Sequence, residues 1–457
     1  MSRIILVNPS LNDPAVTDNL CPSGALVLMG TMAHNSGHNV KITHIGVDAS
    51  MSQFSDLVGS FKPEIVGITM NTFQTRAAKQ ISKIVKEKNR KTQVVVGGPH
   101  PSALKSRIFD TFPLVDVVVV GEGEHTFLEL AEGKPLEKIR GACYNGKMNE
   151  PRPLAENLDY LPLPNLDLVD ISKFTGVPPV GAYPSAYTMA SRGCPFHCTF
   201  CSKSVWENRV RYRKPGLVIE EIKWLHEKYR MREIFFQDDT FNLNREWAEE
   251  LLNLIIDNKL NKEIVYKAPF RANEKLVDEG LLRLAKKAGF WLIFYGVESG
   301  NQGMLNGMKK GLTVGEIKRA FKLTHQVGLK TTASFIIGMP SETKETISDS
   351  VALWREIKPH DGDFSPAIPL PGTELEKTVI QKRHLLTQDY DEYSPKKVLV
   401  RTDTLTKEDL ERYRARAVDT VALSTLSKNK KRAISYALRN PVQATRRILG
   451  LMRGGSK

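Results

Sequence analysis

Three of the chain's five cysteines fall in the run Cys194-Pro195-Phe196-His197-Cys198-Thr199-Phe200-Cys201. Three thiolates spaced C-x3-C-x2-C on one tight loop can hold three irons of a cubic iron–sulfur cluster. The fourth iron is then open to a small molecule carrying an amine and a carboxylate. Zinc is the competing occupant, and it ordinarily takes four ligands, commonly as two separated pairs. No second pair exists, because Cys21 and Cys143 are isolated, and only His197, inside the loop, could add a fourth ligand. A disulfide framework does not suit a long chain with so few cysteines.

Other polar candidates stand at the ends of short apolar runs in the same half of the chain. Glu233–Phe236 leads to Gln237-Asp238-Asp239, and Ile264–Lys267 leads to Arg271. Trp291–Tyr295 leads to Gly296-Val297-Glu298-Ser299-Gly300, Thr331–Ile337 to Gly338-Met339, and Asp363–Ile368 to Pro369-Leu370-Pro371. Helical patterns at 217–229, 247–257, 274–287, 314–327 and 346–357 separate these runs. With Ala186–Ala190 before the cysteines this makes six strand–helix units, the count of a partial (β/α)6 barrel. Chemistry in such barrels sits at the carboxyl ends of the strands, where these polar groups fall.

The cysteine run, with Phe200 as the aromatic residue before the last cysteine, resembles the signature of the radical S-adenosylmethionine superfamily. The resemblance implies a [4Fe-4S] cluster on Cys194, Cys198 and Cys201 that reductively cleaves S-adenosylmethionine to a 5′-deoxyadenosyl radical. By motif position, Gln237, Asp238 and Asp239 face the methionine ammonium, Arg271 pairs with its carboxylate, and Glu298 and Ser299 hold the ribose or amino-acid end. The backbone at Gly338, beside Phe200, meets adenine. A plain ion pair across the barrel mouth is the competing role for Arg271 and Glu298. Hydrogen abstraction by a radical needs no general base, so no catalytic residue is nominated.

The first 135 residues read as a doubly wound, Rossmann-like α/β domain. Strands at 4–7, 40–45, 65–69, 94–96 and 115–120 alternate with helices at 26–34, 76–87 and from 125. Ligands bind at the carboxyl edge of such sheets. That edge carries Asn8, Thr69, Gly97-Gly98-Pro99 and Gly121-Glu122-Gly123, and glycine lets backbone approach a ligand closely. The stretches Val96–Ser102 and Val115–Glu124 resemble the cobalamin-binding domain that precedes many radical S-adenosylmethionine barrels, which implies cobalamin at these residues. A lower-ligand D-x-H-x-x-G loop is missing: residues 8–18 contain no histidine, and His34-Asn35-Ser36-Gly37 reads as a helix end.

A proline-rich linker is expected over 136–184, the barrel over 185–375, and a helical region with a basic tail over 376–457. Cys143, in the linker, reads as a partly buried small side chain. The composition is that of an ordinary globular protein, 41% apolar and 25% charged. No leader peptide and no stretch of about 20 apolar residues is visible, and the few cysteines point to a reducing compartment, so a cytoplasmic location is expected. The formal charge of +14 is concentrated at the end: from Leu426 onward there are nine basic residues and no acidic one. Such a segment suits an anionic membrane surface, or is simply solvated; no nucleic-acid module accompanies it.

The reading is a cobalamin-dependent radical enzyme, a methyltransferase acting on an unactivated carbon of a small-molecule or lipid substrate. Its electrons would come from an external donor such as flavodoxin or ferredoxin. Two alternatives share the domains: a cyclase, oxidative or carbon-coupling enzyme without methyl transfer, and a cobalamin or cluster sensor.

Overall fold

The computed structural model describes residues 1–14, 16, 20–46 and 49–428. Most of the basic tail lies outside the described residues. Among those described, no helix is long and apolar enough to cross a membrane.

The N-terminal half is built on β1 Arg3–Asn8, β2 Asn39–His44, β3 Ile65–Thr69, β4 Gln93–Gly97 and β5 Val117–Val119, paired in parallel in the order β2-β1-β3-β4-β5. Ile4, Ile5, Leu6 and Val7 are all fully buried. A continuous apolar run, rather than an alternating one, is what a strand covered on both faces requires. The cover is α1 Gly24–Asn35 and α6 Glu124–Ala131 on one face, and α2 Met51–Phe61, α3 Thr75–Lys88, α4 Pro99–Leu104 and α5 Ile108–Thr111 on the other. Helix α2 carries an apolar stripe, Met51, Phe54, Leu57, Val58 and Phe61, that packs on the sheet. Its start is set by a reciprocal cap between Ser50 and Gln53.

The stretch expected as linker begins as part of this sheet. β6 Ala142–Tyr144 adds antiparallel to β5, and β7 Lys147–Met148 adds antiparallel to β6. Cys143 is therefore fully buried, not partly so, because it sits opposite Val118 in the ladder.

The second half is an open barrel of six parallel strands: β8 Ser185–Thr188, β11 Glu233–Phe236, β12 Val265–Phe270, β13 Phe290–Glu298, β14 Lys330–Ile337 and β15 Asp361–Pro366. A short antiparallel ribbon, β9 Ser191–Arg192 with β10 Arg211–Tyr212, interrupts the first crossover. The crossover helices are α7 Pro215–Tyr229, α8 Arg245–Asp257, α9 Glu279–Lys287, α11 Val314–Gln326 and α12 Lys344–Ile357, with a short α10 Gln302–Gly307 before α11. Their starts are chemically marked by Pro215, Asn244, Asp278, Thr313 and Thr343. After β15, α13 Glu374–Gln381 leads to α14 Lys407–Lys428, which packs on the outer edge strand.

Candidate functional site

A single cavity of about 1640 Å³ lies between the carboxyl edge of the N-terminal sheet and the mouth of the barrel. Cavities for drug-sized ligands run to about 1,000 Å³, so this one has room for more than one ligand.

The cysteine loop, 193–210, hangs from the β9–β10 ribbon. Gly193 has φ +93, and a Cβ there would overlap the Arg209 carbonyl. The loop is pinned between two barrel elements: Thr199 N–H donates to Met308 O at 3.0 Å, and Leu375 N–H donates to Thr199 O at 2.9 Å. Cys201 N–H donates to Cys198 O at 3.1 Å, closing the turn, and Lys203 Nζ donates to Cys194 O at 2.8 Å. All three cysteines line the cavity. Hydrogen bonding with Cys201 pulls the Cys198 thiol down to about 6, helped by the charges of Lys310 and Arg271, while the Cys201 thiol is pushed up.

Around the loop, Gln237, Asp239, Arg271 and Glu298 line the same cavity. Burial raises the Asp239 carboxyl above the usual range, and the charge of Lys203 opposes this. The Arg271 guanidinium lies 3.5 Å over the ring of Phe196, and its Nε donates to Asn273 Oδ1 at 2.5 Å. Its Nη2 is buried without a hydrogen-bond partner among the described residues. Glu298 takes the left-handed φ of +67 at a bulge in β13, and its Oε1 accepts from Lys310 Nζ at 2.7 Å. Gly296 makes room for that pair: a Cβ there would lie 2.5 Å from Glu298 Oε1 and 2.9 Å from Lys310 Nζ. Phe200 packs beside Met304, Met308 and Met339 and also faces the cavity.

Three barrel residues expected at the ligand stand behind the wall instead. Asp238 is buried and accepts from the Ser191 hydroxyl and, at 3.3 Å, from Ala190 N–H. Burial pushes its carboxyl up to about 7. Ser299 is fully buried against Ser350, with the two hydroxyls 3.2 Å apart. Gly338 donates its N–H to the buried Glu342 carboxylate at 2.5 Å and faces Leu410 and Val400 rather than the cavity.

On the opposite wall stand Thr69, Gly97, Gly98, Pro99, Gly121, Glu122 and Gly123. Gly98, at φ +108, would bring a Cβ to 2.8 Å from Met70 O; Gly121, at φ +80, has nothing within 4 Å of that position. Asn8 is not at the wall, because its Oδ1 accepts from Gln74 Nε2 at 2.9 Å. Ser204 of the cysteine loop donates to Pro99 O at 2.9 Å, so the two walls touch.

Sequence reading missed Lys310, Phe196 and Lys203. Lys310 is separated from Glu298 by α10, and nothing in its neighbourhood marks it. Phe196 and Lys203 lay within or beside the signature and were open to notice.

The residues fit the groups expected here. Among the described residues no three His, Cys, Asp or Glu side chains close on a single ion; a cubic cluster presents its irons at separate corners and takes one thiolate at each. A partnerless guanidinium nitrogen beside the loop suits a carboxylate, and the open backbone at Gly121 suits a flat, bulky ligand.

Comparison with known proteins gives the class. The radical SAM superfamily profile matches residues 189–353, and the B12 binding domain profile matches residues 15–131. The chain belongs to the radical S-adenosylmethionine superfamily, in the class that carries an N-terminal cobalamin-binding domain. It is similar to a protein described as an uncharacterized methyltransferase of Pyrococcus horikoshii, 34% identical over 404 residues and 86% of each chain. It is also similar to the anaerobic magnesium-protoporphyrin IX monomethyl ester cyclase of Rubrivivax gelatinosus, 26% identical over 89% of this chain and 75% of the other. Its fold matches that of TsrM, a radical S-adenosylmethionine methyltransferase from Kitasatospora setae, with a TM-score of 0.67, 21% identity, and 84% and 75% of the two chains covered. The chain is thus an enzyme of the cobalamin-dependent radical methyltransferase family, and its cofactors are a [4Fe-4S] cluster, S-adenosylmethionine and cobalamin.

Proposed function

We propose that this enzyme methylates an unactivated carbon of a small, largely apolar molecule. When bound, the cluster and S-adenosylmethionine supply a 5′-deoxyadenosyl radical, and cobalamin supplies the methyl group. One observation carries the reading: a single cavity is lined at once by the three cysteines and by the glycine loops of the N-terminal sheet.

Each wall has a task. Cys194, Cys198 and Cys201 hold the cluster. Asp239 and Gln237 receive the ammonium of S-adenosylmethionine, and Arg271 pairs with its carboxylate through the free Nη2. The Glu298–Lys310 pair presents its remaining carboxylate oxygen to the ribose. Thr69, Gly97, Gly98, Pro99, Gly121 and Gly123 bound the corrin side. Leu28, Met29, Phe73 and Phe127 make that side apolar and keep water from it. The protein works in the cytoplasm with a low-potential protein reductant, and its basic tail rests on anionic lipid.

Anaerobic purification with iron and cobalamin quantified, then incubation with S-adenosylmethionine and reductant, tests the reading. S-adenosylhomocysteine should form together with 5′-deoxyadenosine. Formation of 5′-deoxyadenosine alone would favour the cyclase reading, which the similarity to the Rubrivivax gelatinosus cyclase supports. Alanine in place of any of the three cysteines should remove most of the bound iron; retention of the cluster would sink its assignment.

A further inference from the structure

Arg192 and Arg211 face each other across the β9–β10 ribbon, at the two ends of the cysteine loop. Both leave the barrel half and enter the loop after β5. Arg192 Nη1 donates to Glu122 Oε1 at 2.9 Å and its Nη2 to Glu124 Oε1 at 2.6 Å. Arg211 Nη1 and Nη2 donate to Glu122 Oε2 and Oε1, each at 2.8 Å. The four side chains are 2–8% exposed. Two cations and two anions cancel, and Arg211 Nη1 also reaches Ala155 O at 3.2 Å.

Glu122 looked from its sequence position like a ligand contact. Both of its oxygens are instead taken by guanidinium forks, and the two arginines hold its carboxyl below the usual range despite burial. Buried ion pairs add little net stability, since desolvation offsets attraction, but they demand exact partners and geometry. What this one joins is specific. On one side stand Gly121 and Gly123; on the other stand Gly193 and Cys194. The Trp206 ring of the cysteine loop lies 5.8 Å from the Arg192 guanidinium.

We propose that Arg192, Arg211, Glu122 and Glu124 form a positioning clamp that fixes the cysteine loop against the glycine loops of the N-terminal domain. Resting on the function proposed above, it thereby sets the spacing of the cluster from the corrin. No member is a catalytic residue.

The test uses the full-length protein reconstituted with iron, sulfide and cobalamin. In Glu122→Gln, amide exchange should rise about tenfold in both 120–126 and 191–212, because a broken buried pair lowers the cost of local opening, while α8 and α9 exchange as before. At unchanged iron and cobalamin content, relaxation of the paramagnetic cobalamin signal by the reduced cluster should weaken, which a purely stabilising salt bridge would not cause. Arg211→Lys keeps the charge and loses the fork; it should move both readouts the same way by less, and it decides the matter if Glu122→Gln does not fold. Faster exchange on one side only, or unchanged relaxation, overturns the clamp. So does loss of cobalamin with an undisturbed cysteine loop, which would make Glu122 a cofactor contact. A wild-type protein that holds the cluster but no cobalamin defeats the functional reading, and the exchange measurement still decides the clamp.

Discussion

Asp238 and Asp239 are neighbours with opposite situations, and the difference lies in which way a strand end turns. Asp239 faces the cavity, while Asp238 turns under the wall onto Ser191, one residue before Arg192. Burial makes Asp238 the more informative to titrate. Its folded carboxyl keeps a proton until about pH 7, whereas an unfolded aspartate loses it near 3.8. A raised folded value means that its contribution to stability is full below the unfolded value and is lost as pH rises through about 7. Asp238→Asn keeps a partner for Ser191 and cannot ionise. The variant should lack the fall in stability that Asp238 contributes to the wild type between about pH 4 and 7 in denaturant titrations, and should bind S-adenosylmethionine normally. An unchanged pH profile would show that Asp238 is not the group responsible.

The strand ends show what can be read from a chain and what cannot. Apolar runs located β1, β3, β4, β11, β13 and β14, because a strand buried on both faces must be continuously apolar. The same logic failed for β6 and β7, which are short, lie at the sheet edge and carry Asn145-Gly146 between them. It failed again for Ser299 and Gly338, since a turn that follows a strand sends alternate residues to opposite sides. Two glycines separate fold from site. Gly98 abuts backbone at Met70 O and has φ +108, so Gly98→Ala should destabilise the N-terminal domain by about 1–3 kcal/mol, measured by denaturant unfolding. Gly296 abuts only the tips of Glu298 and Lys310. Those tips can swing aside, so Gly296→Ala should cost under about 1 kcal/mol of stability. It should nevertheless weaken S-adenosylmethionine binding roughly tenfold by dispersing the ion pair; normal binding by equilibrium dialysis would remove Glu298 from the proposed site.

Contacts between the two halves join residues 68 to 381 positions apart, and no local pattern announces them. Besides the arginine–glutamate clamp, a segment from the far end of the chain returns to the first domain. Asn12 donates its Nδ2 to Tyr390 O at 3.0 Å and to Tyr393 O at 3.2 Å, and its Oδ1 accepts from Arg76 N–H at 3.0 Å. Thr75 Oγ1 donates to Tyr390 O at 3.0 Å, Lys79 pairs with Asp391 at 2.9 Å, and the His100 and Tyr390 rings meet edge-on at 4.8 Å. Asn12 is buried, so removing its side chain strands the Tyr393 carbonyl and the Arg76 N–H away from water. An unsatisfied buried group costs about 1–3 kcal/mol, whereas the exposed edge of the Lys79–Asp391 pair is worth under about 1 kcal/mol. Asn12→Ala should therefore lower the midpoint of thermal unfolding clearly more than Lys79→Ala does. Proteolysis of the native Asn12→Ala protein should begin near residues 385–400, with iron content unchanged because the cysteine loop is anchored elsewhere, by Met308 and Leu375. If cleavage begins instead in the cysteine loop, or iron is lost in step with stability, the far segment and the cluster are one cooperative unit rather than two separate ties between the halves.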